Sequence, residues 1–125
     1  MTIEKVLLVD DEPDIRAVAK IALGAVGGWQ VVVCESGTEA IAQAAAEAPD
    51  IILLDVMMPE MDGPTTFKKL REQASTASIP IIFLTAKVQP QEIQAYLDLG
   101  AVGVINKPFD PMTLATQVKG VVENT

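Results

Sequence analysis

Short runs of consecutive apolar residues alternate along the chain with stretches whose apolar positions recur every three to four residues. Lys5-Val6-Leu7-Leu8-Val9-Asp10, Asp50-Ile51-Ile52-Leu53-Leu54-Asp55 and Ile79-Pro80-Ile81-Ile82-Phe83-Leu84 are continuously apolar inside, the pattern of strands covered on both faces. Gln30 to Glu35 reads as a second strand in chain order, and Val102-Gly103-Val104-Ile105-Asn106 as a short fifth. Asp14 through Val26 predicts a helix with Ile15, Val18, Ala19, Ala22 and Val26 on one stripe, stopped by Gly27-Gly28. Ser36, three residues before Glu39, has the spacing of a capping box for an alanine-rich helix that ends before Pro49. Pro64 suits the first turn of a third helix, whose apolar face is Phe67, Leu70 and Ala74. A fourth helix starts at Pro90, carries Ile93, Tyr96, Leu97 and Leu99, and stops at Gly100. The last runs from about Pro111 to Val122.

Five strands alternating with five helices predict an α/β fold: a doubly wound, five-stranded parallel sheet in the flavodoxin-like order 2-1-3-4-5. No linker, repeat or low-complexity tract interrupts the series, so residues 1–125 read as one domain. In such sheets the functional crevice lies beyond the carboxyl ends of the strands. That edge collects Asp10, Asp11, Asp55, Thr85 and Lys107 from four strand ends. Singly, each Asp reads as a helix cap, Thr85 as a turn residue and Lys107 as a solvated charge. Their coincidence on one rim is less ordinary. Carboxylates held together resist ionising without a compensating cation, and magnesium, which prefers oxygen ligands at about 2.0–2.1 Å, meets that need.

Composition narrows the chemistry. The 125 residues contain no histidine and one cysteine, Cys34. Imidazole bases, nucleophiles and ligands are therefore excluded, as are an internal disulfide and multi-thiolate zinc sites. Seventeen acidic against nine basic residues give a net charge of −8, which argues against direct nucleic-acid binding or an anionic membrane surface. No apolar run approaches the roughly 18–20 residues of a membrane span, and the amino terminus lacks a signal-peptide pattern. A cytoplasmic location is expected. Met1 points to a true start, and Thr125 is uninformative about the end.

Four segments together resemble the receiver domain of bacterial two-component response regulators, the single-domain chemotaxis regulators included. They are Leu7-Leu8-Val9-Asp10-Asp11-Glu12-Pro13, Ile52-Leu53-Leu54-Asp55-Val56-Met57-Met58-Pro59 with Met61-Asp62-Gly63, Leu84-Thr85-Ala86, and Asn106-Lys107-Pro108-Phe109. The resemblance covers essentially the whole chain. It implies transfer of a phosphoryl group to Asp55 from a phosphohistidine on a sensor histidine kinase or phosphotransfer protein. It implies magnesium held by Asp11, Asp10, Asp55 and the backbone carbonyl of Met57. Thr85 and the backbone amides of Met57 and Ala86 would hold phosphoryl oxygens, Lys107 would pair with the phosphoryl group, and the Lys107–Pro108 bond would be cis. The output would be a downstream protein bound through the fourth helix, fifth strand and fifth helix, by a monomer or weak dimer. The reaction would be the domain's own phosphorylation and dephosphorylation, not enzymatic turnover.

The chemistry agrees with this. Phosphoryl transfer needs mainly positioning and charge neutralisation, and a carboxylate nucleophile needs no base. Two departures stand out. The fifth-strand position three before the lysine is aromatic in receivers and is Val104 here, which reads as a core valine; Tyr96 reads as helix surface. Met57 and Lys87 occupy the positions that tune phosphoryl lifetime in receivers; methionine is a poor orienter of water, so either slow self-dephosphorylation or a methionine that merely shields the loop is expected. Cys34 reads as inert packing, Trp29 as a plug at the second strand, Glu12 and Asp14 as first-turn acids, Asp62-Gly63 as a turn and Asp110 as a cap.

Three rivals remain. A nucleotide- or flavin-binding domain would need a phosphate-cradling loop where Asp10-Asp11-Glu12-Pro13 stands. A magnesium-dependent aspartyl phosphatase would carry a second aspartate at Met57. A degenerate receiver acting only as a scaffold is opposed by the retention of Asp11, Asp55, Thr85 and Lys107.

Overall fold

The structure, a computed structural model, describes residues 2–123. The elements are β1 (Lys5–Val9), α1 (Pro13–Lys20), β2 (Gln30–Cys34), α2 (Gly37–Glu47) and β3 (Ile51–Asp55). They continue with α3 (Gly63–Glu72), β4 (Ile81–Thr85), α4 (Pro90–Leu99), β5 (Gly103–Asn106) and α5 (Leu114–Glu123). Neighbouring strands pair in parallel in the order β2-β1-β3-β4-β5, the expected architecture.

The continuous apolar runs have a simple cause: alternate residues of each central strand serve two cores. Leu7, Val9, Ile52, Leu54, Ile81 and Phe83 face Ala40 and Ala44 of α2 and Phe67 and Leu70 of α3, with Tyr96 and Leu99 of α4 packed alongside. Val6, Leu8, Ile51, Leu53, Ile82 and Leu84 face Ala19 of α1 and Leu114, Val118 and Val122 of α5. Each fully buried aliphatic side chain contributes about 1.5–3 kcal/mol relative to exposure, so the strands are pinned from both sides.

Local chemistry sets the helix starts. The Ser36 hydroxyl accepts from Glu39 N–H at 3.1 Å, and the Asp62 carboxylate accepts from Thr65 N–H at 2.9 Å. Asp62 is therefore the cap of α3, not merely part of a turn. Asp110 accepts from Met112 N–H at 2.9 Å in a turn that precedes α5; that turn takes residues 111–113, so the helix begins later than Pro111.

The first helix departs most from expectation. After Lys20 it widens into a π-helical segment, Ile21–Val26, which turns the following residues out of α-helical phase. Leu23 is buried in place of the expected Val26, which is exposed, as is Val18. The widened turn closes with Gly27 N–H donating to Ala22 O at 3.1 Å. Ala74 also lies outside its expected role, exposed beyond the end of α3. Trp29 is half-buried against the second core, with the Lys119 ammonium 5.7 Å from its ring centre.

Gly63 ties the fold to the carboxyl edge. Its N–H donates to Val56 O at 2.9 Å, and a Cβ here would strike the Asp55 carbonyl oxygen and, at 2.8 Å, the Val56 Cα. Backbone cannot move aside as a flexible side chain can. Gly63→Ala is expected to destabilise the protein by about 1–3 kcal/mol, the usual cost of overpacking, read as a lower urea midpoint at unchanged slope.

Candidate functional site

The strand ends are held level because the ladders run one step beyond the strands. Asp10 N–H donates to Cys34 O at 3.1 Å, Val56 N–H to Leu84 O at 3.1 Å, and Lys107 N–H to Thr85 O at 2.9 Å. With Asp55 and Thr85 as the last residues of β3 and β4, these bonds bring the expected residues to one rim. The Lys107–Pro108 bond is cis, as the resemblance implied.

The rim is electrically crowded. Asp10, Asp11 and Asp55 each offer a carboxylate oxygen within 4.8 Å of the others. Asp10 is fully buried, Asp55 is 2% exposed and Asp11 is half-buried. Into this cluster reaches Lys107 Nζ, 2.9 Å from Asp10 Oδ2 and 3.3 Å from Asp55 Oδ1, with Glu12 Oε1 at 3.6 Å. Burial and then the neighbouring Asp10 charge push the Asp55 carboxyl up from 3.8 to about 6; Lys107 pulls the other way and Asp11 adds to the rise. Burial alone would lower the Lys107 ammonium, but its hydrogen bond to Asp10 and the charges of Asp10 and Asp55 outweigh it, so its proton is held more firmly than usual.

A hollow of about 210 Å³ opens beside Asp55, lined by Glu12, Met57, Thr85, Ala86 and Lys107. The Thr85 hydroxyl accepts from Lys87 N–H at 3.0 Å, which leaves its own proton free to donate. Lys87 is exposed and does not line the hollow. Val104 is half-buried and lies beside Phe83 in the β4–β5 register. Tyr96 is more than helix surface: its ring centre lies 5.1 Å from that of Phe83, which in turn is 5.7 Å from Phe67.

Two participants escaped the sequence reading. Glu12 is drawn to Lys107 as well as standing at the start of α1. Arg16 NH1 donates to the Asp10 carbonyl at 2.9 Å, and its NH2 lies 3.8 Å from Glu35 Oε2. Its place four residues after Glu12, one helical turn on, is the signal that could have found it.

The donor set suits a hard divalent cation. Three converging carboxylates, two of them buried, with one ammonium shared between two, leave an excess of negative charge that oxygen-seeking magnesium would relieve. Cys34 is no competitor: burial and the nearby Glu39 push its thiol up to about 12, so a thiolate ligand is not on offer.

The family model described as the response regulator receiver domain matches residues 6–119. The chain is 37% identical over 122 residues to the alkaline phosphatase synthesis transcriptional regulatory protein PhoP of Bacillus subtilis, covering 98% of this chain and 50% of that protein. It is also 37% identical over 124 residues to the probable transcriptional regulator ycf27 of Guillardia theta, covering 99% of this chain and 47% of that one. The chain thus spans about half the length of these curated relatives. Among solved structures, chemotaxis response regulator CheY4 of Vibrio cholerae superposes with a TM-score of 0.88 at 37% identity, covering 96% of this chain and 99% of that one.

The raised Asp55 carboxyl carries a stability consequence with a definite sign. Folding favours its protonated form, so its contribution is fully present below about pH 3.8 and is lost as pH rises through about 6. In chelator-treated protein near pH 7.5, Asp55→Asn is expected to raise unfolding stability by up to about 3 kcal/mol, two pKa units at about 1.4 kcal/mol each. The gap between variant and parent should close towards pH 4, as followed by urea denaturation across that range.

Proposed function

The chain belongs to the response regulator receiver domain family, and we propose that within it the chain is a phosphorylation-operated switch with Asp55 as the phosphoacceptor. Receiver domains are signalling switches rather than turnover enzymes, and they bind magnesium at an acidic cluster. The observation that carries the reading is the buried Asp55 carboxylate, 3.3 Å from Lys107 Nζ and opening onto the hollow lined by Thr85 and Ala86.

In this reading an Asp55 carboxylate oxygen attacks the phosphorus of a phosphohistidine on a kinase or phosphotransfer partner. The P–N bond breaks with its electron pair returning to the imidazole, and an acyl phosphate forms. Asp55 needs no base, because it is already an anion in its reactive state. Lys107, the Thr85 hydroxyl and the backbone amides of Met57 and Ala86 take up charge on the phosphoryl oxygens. Asp10, Asp11, Asp55 and the Met57 carbonyl would hold magnesium, which supplies neutralisation between acceptor and phosphoryl group. Asp10 also keeps Lys107 aimed at the acceptor.

The added charge, about −1.5 to −2, competes for Lys107 and Thr85. Thr85 begins the loop to α4, so its movement reaches the α4–β5–α5 surface, where a downstream protein reads the state. With Val104 on β5, the aromatic contact available to that route is Tyr96 on Phe83. Among the described residues no helix is long and apolar enough to cross a membrane; the cytoplasm, where response regulators typically work, is the location this reading takes. Met57 stands where an aspartyl phosphatase would need its acid, so the phosphatase reading is not favoured.

Incubation with acetyl phosphate and magnesium, followed by intact-mass measurement, should give one base-labile phosphoryl adduct that is lost in Asp55→Asn. Continuous hydrolysis of the donor without an adduct counts against the switch. A missing adduct together with failure of magnesium to bind would leave the scaffold reading, with the cognate kinase as the deciding donor. Met57→Asn should accelerate adduct loss by supplying an amide that orients water; an unchanged lifetime removes Met57 from the tuning role.

A further inference from the structure

Two adjacent methionines after β3 differ sharply in exposure. Met57 is 64% exposed, Met58 is 8% exposed, and Met61 nearby is half-buried. Met57 also lines the hollow shared with Asp55, Thr85 and Lys107. Met112 is equally open, at 69%, but sits in the turn before α5 and does not line that hollow. An accessible thioether is open to reversible two-electron oxidation, which turns an apolar side chain into a polar one.

We propose that Met57 is a redox modification site, at which a peroxide-class oxidant shortens the life of the phosphoryl group on Asp55; this rests on Asp55 being the phosphoacceptor. A sulfur lone pair attacks one peroxide oxygen, the O–O bond breaks, and the second oxygen leaves as water after proton transfer. Sulfur is oxidised by two electrons to the sulfoxide, and the peroxide is reduced by two. Where the thioether accepts hydrogen bonds weakly, the sulfoxide oxygen accepts them well. Met57 lines the hollow and follows Asp55 by two residues, which brings the sulfoxide oxygen beside the acyl phosphate. There it holds a water for attack on phosphorus, which releases phosphate and restores the Asp55 carboxylate. The buried Met58 remains a thioether, so one loop carries both a reactive position and its internal control.

The test treats the full chain with dilute hydrogen peroxide and maps oxidised methionines by peptide mass spectrometry. The protein is then loaded with acetyl phosphate and magnesium, the donor is removed, and adduct decay is followed by intact mass. Oxidation should appear on Met57 and Met112 before Met58. Decay should become severalfold faster and return to its starting rate after methionine sulfoxide reductase. Met112→Leu should respond to peroxide as the parent does, whereas in Met57→Leu the decay rate, whatever its starting value, should not change with peroxide. An unchanged or slower decay with Met57 oxidised overturns the inference alone, as does acceleration that survives in Met57→Leu, or a Met57 that resists oxidation. Failure of the untreated protein to form any adduct, from acetyl phosphate or the cognate kinase, overturns the phosphoacceptor reading and this inference with it.

Discussion

One ammonium group holds the carboxyl edge together. Lys107 Nζ is shared between Asp10 and Asp55, which leave β1 and β3, while the lysine itself follows β5. Without a cation between them, one of two buried carboxylates in mutual reach would have to take up a proton, or the pair would have to draw in solvent. The lysine lets them coexist, yet one ammonium faces three acids, and the Asp55 carboxyl is pushed up first by burial and then by the Asp10 charge. Under the proposed function the imbalance is the useful part: it would favour a divalent cation at the acids and a phosphoryl group as a stronger partner for Lys107.

Such a site costs stability, and the fold offsets it well away from the chemistry. Two apolar cores, one on each face of the sheet, clamp β1, β3 and β4 along their lengths, so the strand ends cannot drift apart to relieve repulsion. Arg16 adds a local brace by binding the Asp10 carbonyl. Gly63 lets the chain after Asp55 fold back tightly enough to start α3 against the same edge. The crowding is therefore enforced by packing rather than by the charged groups themselves.

The fold was legible because strands buried on both faces leave an unmistakable unbroken apolar run, and Ser36, Pro64 and Gly100 punctuate what lies between. The rim was legible for a related reason: residues that end parallel strands must share an edge, wherever they fall in the chain. What could not be read was phase. Nothing in Ile21–Val26 announces a widened helical turn, so Leu23 replaced Val26 inward. Nor does a period argument reveal that Asp110 caps a turn before the helix proper. Side-chain reach was equally hidden. Arg16 and Glu12 join the site through long flexible arms, and the Tyr96 contact with Phe83 depends on the seating of α4, which spacing alone does not set.

That seating is itself telling. α4 has no fully buried residue; half-buried side chains such as Tyr96 and Leu99 attach it to the first core. Local opening free energy follows the apolar contact that must be surrendered, so this helix gives up less on opening than the fully buried β3 and β4. An element so loosely moored can be re-seated by a perturbation far smaller than one that would unfold the domain.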